Sequence, residues 1–159
     1  MKKGQIALEF LTIYGWAFLV VLIMISAMTY FGIFNPSKIF PDRCTFGTEI
    51  DCKDFQISWT GANIKLMLKN NLGKPIVISS MTAFTESNTL YCEDLSGDSG
   101  VWGTDVRHFT FKKCNLDEVG FSPGDKGKVL IKINYYAAKS GPQYTHSVYG
   151  EVFATVVTN

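Results

Sequence analysis

The chain has 159 residues, 47% hydrophobic and 14% aromatic, with 15 Lys and Arg against 14 Asp and Glu for a formal net charge of +1. That length suits one ordinary domain with a short appendage rather than two full domains. The near-zero charge argues against a polyanion such as nucleic acid as partner, and a mean hydropathy of +0.11 is too apolar for a disordered chain.

The apolar excess is local. From Phe10 to Phe34 there is no charged residue, and Thr12, Tyr14, Ser26, Thr29 and Tyr30 carry the only hydroxyls. About 25 residues at about 1.5 Å each reach roughly 37 Å, more than the ~30 Å of a hydrocarbon core, so a membrane-spanning helix is predicted. Trp16, Phe18, Leu19, Leu22, Ile23, Met24, Met28, Tyr30 and Phe31 leave no polar stripe along it, the pattern of a helix buried on all sides. The run is longer than the ~7–15 apolar residues of a cleaved secretory signal. Lys2 and Lys3 precede it, which places the N-terminus in the cytoplasm and the rest of the chain outside. Asn35-Pro36-Ser37 is expected to end or bend the helix, because Pro disfavours helix at the residue before it.

Glu9 stands out at the head of this run. A carboxylate costs about 2.5–3.5 kcal/mol at a membrane centre, so it needs a partner or a place at the headgroups. Read with its neighbours, Met1-Lys2-Lys3-Gly4-Gln5-Ile6-Ala7-Leu8-Glu9-Phe10 resembles the class III signal peptide of archaeal type IV pilins, a short basic leader ending in Gly. The resemblance covers about ten residues. It implies that a prepilin peptidase cuts between Gly4 and Gln5, that the apolar helix stays in the mature protein, and that Gln5, Glu9 and Phe10 serve assembly with identical or related subunits. It also implies a membrane-held precursor that becomes part of an extracellular filament serving adhesion. The new α-amino group at Gln5, with an ordinary pKa of about 7.7–8.0, would lie one helical turn from Glu9, where the two charges can pair.

Beyond residue 35 the pattern alternates. Phe55, Ile57 and Trp59 alternate with Gln56 and Ser58, and Ile64, Leu66 and Leu68 alternate with Lys65 and Lys69. From Lys128 to Tyr135, Val129, Ile131, Ile133 and Tyr135 share one face. These read as strands with one buried and one wet face. Tyr144 to Thr158 is apolar on both faces, with Val148, Val152, Ala154 and Val156 on one and Tyr149, Phe153 and Val157 on the other. It is expected either to lie centrally or to meet another subunit. Turn chemistry at Asn70 to Pro75, Ser122 to Asp125 and Ser140 to Pro142 separates the runs. The predicted fold class is α+β, a long N-terminal hydrophobic helix followed by an all-β head, sandwich or barrel-like. The divisions are a leader at 1–4, the helix at 5–34, a linker at 35–43 and an extracellular head at 44–159.

Cys44, Cys52, Cys92 and Cys114 all fall in the head, and an even number in an oxidising setting suggests two disulfides. Of three possible schemes, the most local joins Cys44 to Cys52 and Cys92 to Cys114. No two of the four have the two-to-four-residue spacing common in structural zinc sites, so no metal is expected. His108 and His146 sit in strand-like runs, and Glu93, Asp94 and Asp98 beside Gly97 and Gly100 read as a solvated acidic loop without EF-hand spacing. No nucleophile elbow or phosphate loop is present, so neither catalytic residues nor a cofactor is expected. A membrane-anchored binding domain that does not polymerise is the competing reading.

Overall fold

The computed structural model describes residues 3–31 and 40–158, with side chains at residue 9 and from residue 12 onward within those spans. The chain divides into two compact units, Met1–Phe40 and Pro41–Asn159.

The first unit holds α1, Lys3–Tyr30, of 28 residues. At about 1.5 Å per residue it is roughly 42 Å long. Its Ser and Thr hydroxyls turn back on their own helix: Thr12 donates to the Glu9 carbonyl at 3.0 Å, Ser26 to Leu22 at 2.7 Å and Thr29 to Ser26 at 2.8 Å. That satisfies the aliphatic hydroxyls of its apolar stretch. Residues 32–39, with the expected helix end at Phe34 and the Asn35-Pro36-Ser37 breaker, lie outside the described residues.

The second unit is a curled sheet. Its strands are β1 Arg43–Phe46, β2 Ile50–Ser58, β3 Asn63–Asn70, β4 Ile76–Phe84, β5 Cys92–Ser96, β6 Val101–Trp102, β7 Val106–Cys114, β8 Lys126–Ala137 and β9 His146–Val157. They lie in the order β5-β7-β3-β2-β9-β8-β4-β6, with β1 added against β9. The one parallel junction sets Ile57 and Ser58 of β2 beside Val156 and Val157 of β9. With α1 ahead of it, this is the α+β class that the patterning predicts.

Alternation dictates which face is buried. In β8, Val129, Ile131, Ile133 and Tyr135 point into the core; in β3, Ile64, Leu66 and Leu68 do. The two-sided apolarity of β9 is explained by its place. It pairs with β8 along one edge and with β1 and then β2 along the other, and its outward Phe153 ring lies beneath the Arg43 and Lys126 cations at 5.7 and 5.9 Å. The strand is central. One expected wet position is covered: Ser58 is buried along with Ile57, because the end of β2 is bracketed by β3 and β9. At the centre of the core Trp102 meets Phe109 edge-on, ring centres 5.2 Å apart.

Strand direction gives the head two ends. β1 leaves Asp42 and runs outward, so the segment at 47–49, the β3–β4 turn, the 97–105 loop and the β8–β9 loop gather at the far end. The turn at 59–62, the 85–91 loop, the 115–125 loop and the end of β9 gather at the end where the chain enters.

Disulfides join Cys44 to Cys52 and Cys92 to Cys114. The first ties β1 to β2, and the second lies between register partners of β5 and β7. By loop entropy they contribute about 2.6 and about 3.4 kcal/mol. Peptide mapping of unreduced protein is therefore expected to give these two linked pairs and no free thiol, and replacing Cys92 and Cys114 together by Ser should cost the head about 3 kcal/mol in denaturant titration. Crossed pairs, or alkylation of all four thiols in native protein, would contradict the assignment.

Candidate functional site

The surface of α1 is the largest feature that the fold leaves uncovered. Ile13, Trp16, Phe18, Leu19, Val21, Leu22, Ile23, Met24, Ile25 and Met28 are all exposed, Trp16 by 69%, and they face every side of the helix. The stretch Thr12–Tyr30 is long and apolar enough to cross a membrane. Each such side chain gains about 1.5–3 kcal/mol on full burial, so this surface demands lipid or protein around it. Glu9 lies one turn ahead of that stretch and is exposed. The backbone is helical through Gly4 and Gln5; the side chains of Gln5 and Phe10 fall outside those described. Gly4 weakens the first turn by about 1 kcal/mol relative to Ala.

The head holds the chain firmly where it enters, and its ordered contacts begin at Asp42, ahead of residue 44. The Asp42 carboxylate accepts hydrogen bonds from Lys126 Nζ, from the Thr155 backbone N–H at 3.1 Å and from Thr155 Oγ1 at 3.2 Å. Beside it Arg43 donates to Glu151 Oε1 through Nε at 3.1 Å and Nη2 at 2.6 Å, while Lys128 bridges Glu86 at 2.7 Å and Glu151 at 3.3 Å. Burial alone would raise the Asp42 carboxyl, but Lys126 and the Thr155 donors outweigh it and hold the pKa below its ordinary 3.8. The Arg43 hydrogen bond, then Lys128, hold Glu151 below its ordinary 4.5 against the effect of burial.

Both shifts are depressions, so the stability they contribute is present at neutral pH. It starts to fade as pH drops past those ordinary values and is gone below the lowered folded ones. The melting temperature of the protein is thus expected to fall on acidification below about pH 5. Asp42→Asn should cost at most about 1 kcal/mol at pH 7, since the carboxylate of the pair is exposed to solvent, and less as acid protonates the carboxylate. A gap between the two proteins that is the same at pH 7 and pH 2 would refute this role for the carboxylate.

Elsewhere polar groups fasten loops. Asn70, only 1% exposed, donates to the carbonyls of Lys74 at 2.9 Å and Gly103 at 2.8 Å and accepts from the Leu72 N–H at 2.9 Å. Tyr135 donates to Glu49 at 2.6 Å, and burial, reinforced by that carboxylate, pushes its pKa far above 10.0. Arg107 donates to the carbonyls of Ser99 and Val101. The residue pattern marks Tyr135 only as a member of a core face and Asn70 only as a turn residue, and it marks neither Glu49 nor Arg107; for Asn70, a polar side chain closing an otherwise alternating strand is the available signal.

The candidate chemical residues do not converge. His108 and His146 are exposed on β7 and β9, the latter beside the Tyr135 ring at 5.7 Å. Glu93 and Asp94 face Lys113, at 2.8 and 3.7 Å. Among the described residues no group of three His, Cys, Asp or Glu side chains is placed to hold a metal ion. No protein-family model matches the chain, and no curated protein matches it in sequence.

Proposed function

We propose that the chain is a structural subunit, a pilin, of an archaeal type IV pilus-like surface filament, assembled through its N-terminal helix and serving adhesion. The observation that carries this reading is a helix apolar on every side and exposed along its length, headed by Lys2-Lys3-Gly4-Gln5 and by Glu9-Phe10. A lipid anchor needs only the apolar stretch. A helix that leaves lipid for the centre of a polymer needs in addition a way to lose its basic anchor and a polar mark that orients it against its neighbours.

Removal of Met1 to Gly4 by a prepilin peptidase supplies the first. The α-amino group of Gln5 facing Glu9, in its own or a neighbouring chain, supplies the second. The apolar surface then exchanges lipid for other copies of α1, so burial is kept throughout. The head stays outside the membrane, where its disulfides are stable, and carries no chemistry of its own in this reading.

Mass analysis of the N-terminus of protein taken from its native membrane tests the proposal: the mature chain is expected to start at Gln5. An intact Met1, or a cut beyond the apolar run, overturns it. Glu9→Gln keeps shape while removing charge, so it should lower filament yield at least tenfold, by loss of about 1.4 kcal/mol or more per contact, and leave the melting of the head unchanged. Normal filaments with Gln at this position would sink the charge-pairing mechanism.

A further inference from the structure

The second unit begins with a short strand on which any pull through the linker must act first. β1 has four residues, and hydrogen bonding to β9 is its only place in the sheet. A strand so short is a weak point by its backbone alone, whose few hydrogen bonds contribute about 0.5–1.5 kcal/mol each.

Everything around β1 works against its release. Asp42 is held by Lys126 and Thr155, and Arg43 grips Glu151. Phe46 covers Gly150 so closely that a Cβ there would collide with its ring. Cys44, second in the strand, is bonded to Cys52. Cys52 belongs to β2, nine residues long, which pairs with β3 along its length and with β9 at its end. A load that reaches Cys44 therefore has two routes, through the hydrogen bonds of β1 or through a covalent bond into an interior strand.

We propose that the Cys44–Cys52 disulfide is a tension relay. It carries load arriving through the linker past β1 into β2, so that the head stays folded while the chain is pulled. β2 runs toward the end where the chain enters, so a pull on Cys52 in that direction acts along β2 and against all of its bonds to β3 together. The segment between the two cysteines, residues 45–51, is shielded from the load. The Cys92–Cys114 bond, between β5 and β7 at the far side of the sheet, lies off this route. The inference rests on the filament reading for the origin of the load, a helix held in a polymer while the head grips a target.

Optical-tweezers measurements on the full chain in detergent micelles test it. Handles are attached at Ser37, in the linker, and at Ser140, in the exposed β8–β9 loop, through click-reactive side chains that leave the four cysteines untouched. Under constant force with dithiothreitol present, cleavage of a load-bearing bond is expected to speed up with force and to release residues 45–51 in a step of about 25 Å, at about 3.5 Å per residue. A step of about 70 Å would instead mark the 21 residues inside the other disulfide. Cleavage at a rate independent of force, with no ~25 Å step, overturns the proposal. Replacing Cys44 and Cys52 together by Ser should move the first extension event to lower force, as a separate step before the main rupture; an unchanged rupture trace counts against the relay. These outcomes are independent of filament formation, which microscopy reads separately.

Discussion

Deleting residues 5–34 is expected to abolish surface filaments completely, while residues 41–159 produced alone fold into a soluble, β-rich domain. The two halves of this result have different causes. In the proposed filament, assembly draws on the surface of α1, whose exposed Trp, Phe, Leu and Ile side chains exchange lipid for packing against other helices. The head offers little of that kind. Its outward charges near the linker are paired with one another, as in Arg43–Glu151 and Lys128–Glu86. Its sheet edges are poor templates for adding strands, since β6 has two residues and β5 has five, with Glu93 and Asp94 among them. Electron microscopy of cells expressing each version, with a working prepilin peptidase present, reads the first half; circular dichroism and sedimentation of the head read the second. Filaments that persist without the helix would move assembly to the head. A full chain that is cut correctly yet stays dispersed in the membrane would favour the anchored binding domain.

Much of this architecture is legible from residues alone because it depends on period. A β-strand with one wet face must alternate, and β3 and β8 do so without interruption, so their core faces could be named in advance. β9 breaks the rule by being apolar on both faces, which leaves two places for it, the middle of the sheet or a subunit contact, and the fold puts it in the middle of the sheet. The helix was legible for the opposite reason, an unbroken apolar run. The most local disulfide scheme holds because each pair joins strands that the topology sets beside one another.

What stayed hidden depends on distance along the chain. Asp42 and Lys126 are 84 residues apart, and nothing in either neighbourhood announces that they meet. Ser58 reads as a wet position by alternation and is covered in the fold, because its parallel neighbour β9 is a tertiary fact. β6 is too short to show any period, so its Trp102 was not marked as core. For the candidate assembly site the position is reversed. The leader motif is read entirely from residue order, and the side chains of Gln5 and Phe10 lie outside those described.

Two tryptophans on opposite sides of this division should respond oppositely to the same change. Trp102 is 0% exposed, meets Phe109 edge-on and donates its indole N–H to the Asp105 carbonyl at 3.0 Å. Truncating it removes the largest fully buried side chain and one hydrogen bond that fixes the 97–105 loop. Trp102→Ala is therefore expected to cost about 3–5 kcal/mol, a large share of the ~5–15 kcal/mol that holds a domain folded. Trp16 is 69% exposed on α1 and is not a member of the head's core cluster. Trp16→Ala should leave head stability unchanged in denaturant titration and instead lower filament yield, because in the proposed filament its ring exchanges lipid for close packing against other helices. The effects separate because the two rings find their packing partners in different events, folding for Trp102 and, in the proposed filament, assembly for Trp16. A Trp102→Ala protein that unfolds at the same denaturant concentration as the parent would refute the packing described for the core. A Trp16→Ala chain that assembles as well as the parent would show that this face of the helix is not part of the filament.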